Sequence, residues 1–397
     1  MATACPVKMG YTFRCYPSAS QERALAKLFG CVRYVFNRAL RLRSDSYAKD
    51  KTSISFGQTS AALTGWKKEP ECQWLNEVSC VPLQQCLRHL QSAFRNFFGK
   101  RAAYPHFKSK RGKQSAGFTR SAFKWDGSQR SLTLAKIGHL RIRWSRQFAS
   151  IPSTVTITKD CAGRYFVTLC LDENVAALPK TGLRVGIDLG IDRLATLSNG
   201  ERVANPLHMK RKLAKLAKLQ RTLARRSKGS GRWHRQRLKV ARLHAQIADS
   251  RRDFLAKLTT DLVRRFDGIG IEDLSVRGMM GDRNMARSIS DLGMHAFRQM
   301  LTYKCAWYGR ELKVADRFFP SSKRCSSCGF VAEELPLAVR SWTCPKCGAV
   351  HDRDENAAKN ILAAGYVATA RGGRVRPKAA KAAGGCALRN VNQPALS

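Results

Sequence analysis

The sequence predicts a multidomain protein that combines α+β and α/β architecture. Its 397 residues are enough for two or three domains, and 44% of them are hydrophobic, which is enough to form buried cores. The spacing of apolar residues changes along the chain from helical to alternating and back, which indicates helical and strand-rich segments in turn. Two closely spaced cysteine pairs late in the chain predict a small metal-binding insertion.

The N-terminal part is predicted to be a β-barrel with an inserted helical part. Residues 11–15 have a strand-like composition, and apolar residues of 25–40 recur at helical spacing with arginines on the other faces. A second helix is predicted from about residue 82 to residue 98. Apolar and polar residues then alternate from 131 to 171, as in strands that are buried on one face. A small barrel that includes the N-terminal strand is the simplest arrangement of these strands.

The middle of the chain is predicted to begin with a three-stranded meander. Its first strand contains Gly186-Ile187-Asp188-Leu189-Gly190, and Asn199-Gly200 is a typical hairpin turn. A basic antiparallel helical hairpin is expected at 207–247, although a solvated run of charges would have a similar composition. A strand near 268–274 and a helix near 291–309 follow.

Four cysteines have the spacing of a zinc ribbon. They form two CxxC pairs, and four thiolates suit the tetrahedral coordination of zinc. Because four protein ligands leave no open position for substrate or water, the zinc is expected to be structural. Free or disulfide-bonded cysteines are the alternative, which paired spacing of this kind disfavours. The candidate zinc ligands are Cys325, Cys328, Cys344 and Cys347.

Three acidic residues are candidates for catalysis and for a second metal site. Asp188 lies on the first strand of the meander, Glu272 ends a later apolar strand, and Asp354 opens a helix. Carboxylates on rigid elements can bind two magnesium ions roughly 3.5–4 Å apart, an arrangement that activates water and stabilises the leaving oxygen in phosphodiester cleavage. Taken singly, each acid has a simpler interpretation: a turn residue, a salt-bridge partner or a charge at a helix N-terminus.

The strand that carries Asp188 has two structural interpretations. It fits a phosphate-binding turn of an actin-like ATPase, and it fits the first strand of an RNase H-like nuclease. The ATPase interpretation requires glycine-rich phosphate loops in a second matching half, and we find none in the sequence. The ATPase interpretation also explains neither the net charge of +44 nor the two CxxC pairs.

The composition indicates a nucleic-acid ligand. Lys+Arg 72 against Asp+Glu 28 gives a formal net charge of +44, and basic residues recur in nearly every segment. A basic membrane-surface protein is the alternative, but no apolar run approaches the roughly 20 residues needed to span a bilayer, and residues 1–10 lack the apolar core of a signal peptide. Ten of the 14 cysteines lie singly among apolar or helical residues, as in a reducing compartment. We therefore expect a cytoplasmic protein without a membrane partner.

A set of short motifs extends almost from end to end of the chain. These motifs are YTFRCYP at 11–17, GCVRYVFN at 30–37, GIDLG at 186–190, IEDL at 271–274, FPSS at 319–322, the two CxxC pairs, and HDRDENAA at 351–358. Together they resemble the TnpB family, also called the OrfB family, of transposon-encoded RNA-guided DNA endonucleases that are related to type V CRISPR effectors.

The resemblance implies a RuvC nuclease domain of RNase H-like fold with an inserted zinc ribbon. By motif, the three catalytic acids of such a domain fall on Asp188, Glu272 and Asp354, which would hold two Mg²⁺ ions, and the four cysteines would hold one structural Zn²⁺. The implied division of the chain is a wedge-like β-barrel with a helical recognition part at 1–178, the first part of the nuclease domain at 179–321, the zinc ribbon at 322–349, the last part of the nuclease domain at 350–369, and a disordered basic tail at 370–397.

The resemblance also implies a prokaryotic cell, with action at the nucleoid, and the nucleic acids that the chain would bind. These are a guide RNA derived from the transposon end and a target double-stranded DNA that is opened next to a short adjacent motif. Family members use the regions around Gln84 and Thr119 to read that motif, and a glutamine can bind adenine through two hydrogen bonds. An ordinary solvent-facing role for Gln84 and Thr119 is the alternative.

Two other functions are weaker interpretations. A guide-dependent DNA-binding regulator of the same family, without cleavage, would be expected to lack one or more of the acids, and all three are present. A transposase that moves DNA by itself would need a paired-histidine metal motif with a nucleophilic tyrosine, which we do not find.

Overall fold

The computed structural model describes residues 5–282, 284–336 and 338–370. Within these ranges the chain divides into two compact units. We call Pro6–Glu173 with Gly229–Arg242 the first unit, and Asn174–Lys228 with the chain from Leu243 onward the second unit. The predicted disordered tail lies outside the described residues from 371 onward, and the finer division into five segments stays a prediction.

The first 175 residues provide most of the first unit. Two short 3-10 helices, Pro70–Asn76 and Arg120–Ala122, connect longer elements. Those elements are β1 (Cys5–Cys15), α1 (Ala19–Asp50), α2 (Phe56–Trp66), α3 (Cys80–Phe98), β2 (Gln114–Thr119), β3 (Phe123–Asp126), β4 (Ser131–Leu134), β5 (Gly138–His139), β6 (Ile142–Arg143), β7 (Thr154–Lys159) and β8 (Tyr165–Val175).

The sheets of the first unit correct the predicted barrel. One sheet has five strands in the order β2-β7-β8-β1-β6, and a separate three-stranded sheet has the order β3-β4-β5. Among the described residues no pairing joins the edge strands β2 and β6, so the five-stranded sheet is open. Alternating apolar residues predict strands, but they do not determine whether the edges of a sheet meet. A closed barrel is therefore not seen. Helices α1 and α3 are as predicted, whereas α2 was not predicted from the sequence.

The rest of the chain contains the remaining strands and helices. Residues 231–242 of the long helix α5 belong to the first unit and the remainder of that helix to the second. A 3-10 turn at Lys210–Lys212 precedes α4. The elements are β9 (Arg184–Asp188), β10 (Arg193–Leu197), β11 (Arg202–Ala204), α4 (Leu213–Ala224), α5 (Gly231–Arg265), β12 (Gly268–Glu272), α6 (Val276–Met279), α7 (Ala286–Leu292), α8 (Met294–Tyr308), β13 (Glu311–Ala315), β14 (Ser341–Thr343), β15 (Val350–Asp352) and α9 (Arg353–Ala370).

A five-stranded sheet in the order β11-β10-β9-β12-β13 forms the centre of the second unit. The strands β9, β10 and β11 form the predicted antiparallel meander, and β12 is parallel to both β9 and β13. Ile187 and Ile271 are paired on adjacent strands and are buried in a core that α5 and α8 cover with leucines and Phe297. Because β9 and β12 are parallel neighbours, their carboxyl ends lie at the same edge of the sheet.

Helix α9 lies against β9 and β12 at two opposed glycines. Gly186 and Gly270 are register partners on the two strands. A Cβ atom on Gly186 would lie 2.0 Å from the carbonyl oxygen of Ala358, and one on Gly270 would lie 3.2 Å from that of Ile361. The helix backbone therefore packs directly on the strands, at a distance that only glycine permits at position 186 and that is tight for any side chain at position 270.

We expect Gly186→Ala to destabilise the second unit by about 1–3 kcal/mol or more, because the added methyl group overlaps the backbone of α9. A matched control is Gly30→Ala, since Gly30 lies inside α1 and no atom lies within 4 Å of its added Cβ. Alanine there should leave stability unchanged or raise it by up to about 1 kcal/mol. Thermal unfolding of the two variants measures the difference, and equal midpoints would contradict this account of α9.

Candidate functional site

The three acids predicted from the sequence lie together at one edge of the central sheet. Asp188 is the last residue of β9, Glu272 is the last residue of β12, and Asp354 is the second residue of α9. The pKa of Asp188 is raised to about 8, by the loss of hydration on burial and by the negative charges of Glu272 and Asp354. Arg353 and Arg340 oppose this rise in the pKa. The three carboxyl groups are therefore close enough for their charges to interact.

The chemistry of this acidic group fits a divalent cation. An ionised Asp188 is unfavourable beside two other carboxylates, and a bound cation would relieve that repulsion. Oxygen ligands on rigid elements are those that magnesium prefers. In the described part of the chain, the group whose metal-binding atoms all lie within 4.8 Å of one another consists of cysteines. The carboxylate oxygens of the three acids are therefore spaced more widely than the ligands of a closed metal site.

Neighbouring side chains orient the acids. Ser321 donates a hydrogen bond to Oε1 of Glu272. Asp352 accepts hydrogen bonds from the backbone N–H groups of Asp354 and Glu355 at 3.1 and 3.0 Å, so it caps the start of α9. Asp352 is also ion-paired to Arg202 at 2.9 Å. The position of Asp354 is therefore determined by the helix cap as well as by the packing of α9 on the sheet.

The four predicted cysteines form one cluster. Their sulfur atoms all lie within 4.8 Å of one another. The Sγ atoms of Cys325 and Cys347 are 3.7 Å apart, and those of Cys328 and Cys344 are 3.6 Å apart. A disulfide requires about 2.05 Å, so the disulfide alternative is wrong. A tetrahedral zinc with Zn–S bonds of about 2.3 Å separates its sulfurs by about 3.8 Å, which these distances match.

A histidine supports the cysteine cluster. Nε2 of His351 lies 3.0 Å from Sγ of Cys325, so its N–H can donate to a thiolate. The imidazole is buried, and its ring centroid lies 5.1 Å from that of Trp342, on the strand β14 that pairs with β15.

Two asparagines connect the cysteine cluster to the acids. Asn356 accepts from the backbone N–H of Ser326 at 2.9 Å and donates to the carbonyl oxygen of Arg324 at 2.7 Å. Asn360, one turn later on α9, donates to the carbonyl oxygen of Ser321 at 2.8 Å. Both asparagines are buried. The segment 321–326 thus contacts α9, supports Glu272 through Ser321 and enters the cluster at Cys325.

No sequence pattern predicted a functional role for Ser321, Asn356 or Asn360. The available signal was a pair of asparagines four residues apart on the apolar face of a helix. Buried polar side chains on such a face require hydrogen-bond partners, and here the partners are backbone groups of the segment before the first cysteine.

The predicted DNA-motif readers lie on adjacent elements of the first unit. Gln84 is an exposed residue in α3, and Thr119 ends β2. These elements pack closely: a Cβ on Gly117 of β2 would lie 3.8 Å from Cβ of Gln85 in α3. The role of Gln84 and Thr119 stays a prediction.

One long stretch of the chain carries basic charge without any acid. Residues 202–248, which include α4 and the first half of α5, contain no Asp or Glu and carry 14 Lys or Arg between 210 and 242. No helix in the described ranges combines the length and apolar character needed to cross a membrane. A surface of this kind attracts a polyanion.

Three family models match parts of the chain. Residues 167–283 match one described as "Probable transposase", OrfB of the IS605 type, and residues 295–361 match one described as "Cas12f1-like, TNB domain". Residues 1–52 match one described as "Helix-turn-helix domain". In the structure, the described part of that segment is the strand β1 followed by one continuous helix, α1.

Whole-length relatives are also found. A protein of Streptomyces pristinaespiralis named "Putative RNA-guided DNA endonuclease" is 53% identical over 376 residues, which cover 94% of this chain and 93% of that protein. A second, from Escherichia coli K12, is named "Putative RNA-guided DNA endonuclease InsQ" and is 35% identical, with 92% and 94% coverage. A cryo-EM structure of a Cas12f1–sgRNA–target DNA complex contains a chain of similar fold, with a TM-score of 0.56 at 12% identity, covering 90% of this chain and 99% of that one.

Proposed function

Because this chain belongs to the TnpB family, we propose that it is an RNA-guided DNA endonuclease with a magnesium-dependent, RuvC-type active site. The observation that carries the proposal is the meeting of Asp188, Glu272 and Asp354 at one sheet edge, where burial and the charges of the other two acids raise the pKa of Asp188. Relatives that share most of the length of this chain carry the corresponding name.

We assign the nuclease domain to residues 179–321 and 350–369, with an RNase H-like fold. An antiparallel meander that continues into the parallel strands β12 and β13, with α9 packed on the sheet, supports this assignment. Residues 322–349 would form the inserted zinc ribbon, and residues 1–178 the wedge-like part with its recognition helices.

The acids would act as ligands of two magnesium ions, which when bound supply the charge that activates water and stabilises the leaving oxygen. The chain itself holds the ligands in place. Ser321 orients Glu272, and Asp352 caps the helix that presents Asp354. With a pKa raised to about 8, Asp188 is mostly protonated at neutral pH, and a bound cation would favour its ionisation.

The cysteine cluster would hold one zinc ion as a structural element. All four positions of a tetrahedral zinc are taken by thiolates, so no position remains for substrate. Through Asn356 and Asn360 the folded cluster fastens the start of α9, which carries Asp354. Its contribution to cleavage is therefore the placement of a catalytic residue.

We propose that the polyanion bound by the +44 chain is a guide RNA derived from the transposon end together with target double-stranded DNA. Base pairing with the guide would supply sequence specificity, and phosphate contacts would supply much of the affinity. The regions of Gln84 and Thr119 would read the motif next to the target.

The test is to express the chain alongside its native flanking DNA and to sequence the RNA that copurifies. The complex is then incubated with magnesium and a plasmid library that carries the guide-matched target next to randomised sequence. Loss of plasmids with one adjacent motif is the expected result. Binding without any cutting would instead indicate the regulator.

Reversing four exposed charges on α4 and at its C-cap should weaken nucleic-acid binding. In the variant, Lys215, Lys218, Arg221 and Arg225 are each replaced by Glu. Each lost phosphate contact releases fewer counterions, so the slope of log K against log salt should flatten by about 0.7–0.9 per contact. The control exchanges Lys215 and Lys218 for Arg and retains the charge. Unchanged affinity and slope would show that this helix is only a solvated face.

A further inference from the structure

Three exposed aromatic side chains lie at the C-terminal end of α3 and in the segment that follows it. Phe98, Tyr104 and Phe107 expose 70%, 40% and 56% of their surface. Phe98 and Tyr104 pack on the same two rings, those of Phe94 and Phe97, and we call this pair the aromatic platform. A single exposed aromatic residue needs no explanation, but two that share one support form a patch of the kind that marks a binding surface.

The platform packs on two further aromatic rings, those of Phe94 and Phe97. The ring of Phe98 lies 6.2 Å from that of Phe94 at an interplanar angle of 23°, and 5.3 Å from that of Phe97. Tyr104 packs edge-on against both supporting rings at 5.6 and 5.2 Å, and its hydroxyl lies 2.7 Å from Oγ of Ser44 in α1. The platform therefore presents flat faces whose positions are set before a ligand arrives.

The supporting helix α1 adds further contacts. The guanidinium group of Arg43 lies 4.1 Å from the centroid of Phe94 and donates a hydrogen bond to Gln91 at 2.8 Å. Arg41 lies 6.0 Å from the ring of Phe107. The contacts of Arg43 hold α1 against α3 within the first unit.

The charge around the platform selects a polyanion. Residues 78–125 contain ten Lys or Arg and no Asp or Glu. Arg95, Lys100 and Arg101 are exposed beside Phe98 in the sequence. Flat aromatic faces among unpaired cations suit a ligand with both phosphates and accessible base faces. A duplex hides the faces of its bases, whereas an unpaired strand offers them.

We infer that the aromatic platform binds unpaired nucleotides, with Phe98 stacking on a base while Lys100 and Arg101 contact the flanking phosphates. This goes beyond the proposed nuclease site, which lies in the second unit, and it rests only on nucleic acid being the ligand. Single-stranded RNA and single-stranded DNA both offer these groups, an unpaired base between phosphates.

The test uses the full chain, freed of copurified RNA, in magnesium-free buffer. The probes are fluorescein-labelled twelve-nucleotide oligo(U) and oligo(dT), with a duplex of equal length for comparison. Phe98→Ala and Phe98→Leu should weaken binding of the single strands by roughly fivefold to a hundredfold, the range expected for one lost base stack, and should affect the duplex less. Phe98→Trp should restore affinity, and its added tryptophan fluorescence should be quenched by the bound base.

Two controls separate stacking from charge and from general exposure. Ile151→Ala removes an equally exposed apolar side chain of the same unit and should bind like the parent. Replacing Lys100 and Arg101 with Ala should reduce the salt slope, which Phe98→Ala should leave unchanged.

Parent-like binding by both Phe98→Ala and Phe98→Leu would overturn the inference. So would a change in molar mass by light scattering in these variants without a change in binding, because the platform would then contact a second protein chain. A parent that binds none of the probes would overturn the proposed nucleic-acid ligand as well. A larger effect with oligo(U) than with oligo(dT) would assign the surface to RNA, and the opposite order would assign it to DNA.

Discussion

Asp188→Asn should abolish cleavage of guide-matched DNA and leave target binding intact. The substitution keeps the shape of the side chain and removes one negative ligand from the proposed magnesium site. We expect the cleavage rate to fall by about a thousandfold or more. Glu272→Gln and Asp354→Asn should behave alike, and the triple variant should add little, because residues that act as one catalytic unit are strongly non-additive. Binding should persist because it depends on base pairing and phosphate contacts.

The measurement is cleavage of a target plasmid by the protein with its copurified RNA and magnesium, beside a binding assay with the same target. Asp253→Asn is the matched control, since Asp253 is an exposed aspartate of the second unit that pairs with Lys257 on its own helix. It should cut like the parent. Cutting at the parent's rate by any of the three acid variants would remove that residue from the site.

Asp188→Asn also tests the raised pKa of Asp188, through the pH dependence of stability in metal-free protein. The pKa of Asp188 in the folded chain is about 8, far above the value near 3.9 in an unfolded chain. Asp188 therefore stabilises the fold most below the unfolded pKa, and this stability is lost as the pH rises toward and through 8. The parent should lose more stability than Asp188→Asn between pH 5 and pH 8, and added magnesium should reduce that difference. Identical pH profiles would show that the pKa of Asp188 is not raised in the folded chain.

The local placement of the acids was predictable from the sequence. Asp188 and Glu272 end apolar runs with β-branched residues, which indicate strands without any knowledge of the fold. That these strands are neighbours depends on pairing between segments about 80 residues apart, for which no local signal exists. Gly186 and Gly270 offer a hint, because an isolated glycine in a strand marks a close backbone approach.

Several helices begin or end at other residues than local sequence patterns predict. Ser20 is a possible N-cap of α1 by composition, but the cap is Ser18, because only Ser18 has a glutamine three residues later to complete a capping box. Helix α5 extends to Arg265 instead of ending near 247, since its apolar stripe continues through Leu255 and no Gly or Pro interrupts it. The predicted helix at 291–309 begins at Met294, after Gly293 with φ of 70°.

Closure of the first sheet and the network behind the acids could not be predicted from periodicity. Whether edge strands meet depends on twist and on the lengths of several strands together, and here the edge strand β6 has only two residues. The contacts of Asn356 and Asn360 join parts of the chain about 35 residues apart through backbone groups, which any sequence possesses. In the sequence, the only sign of such contacts is that a polar residue, asparagine, occupies a buried position of the helix.

Cys344→Ser should remove the zinc and most of the cleavage activity. Zinc binding to four thiolates provides about 10–16 kcal/mol in small zinc domains, so a cluster with one ligand lost should not stay folded around the metal. The segment that leads into Cys325 would then lose its fixed position. Because that segment is bound by Asn356 and Asn360 and holds Glu272 through Ser321, both Glu272 and Asp354 should be displaced. We expect cleavage to fall by at least about tenfold to a hundredfold, as for lost supporting contacts at metal sites.

Zinc content by mass spectrometry should be about one ion per chain in the parent and close to zero in Cys344→Ser. Cys161→Ser is the control, since Cys161 is an exposed cysteine outside the cluster and should retain both zinc and activity. Binding of guide and target should fall less than cleavage, because the basic stretches that contact phosphates lie in other elements. A zinc-free variant that cuts at the parent's rate would show that the cluster does not place the acids.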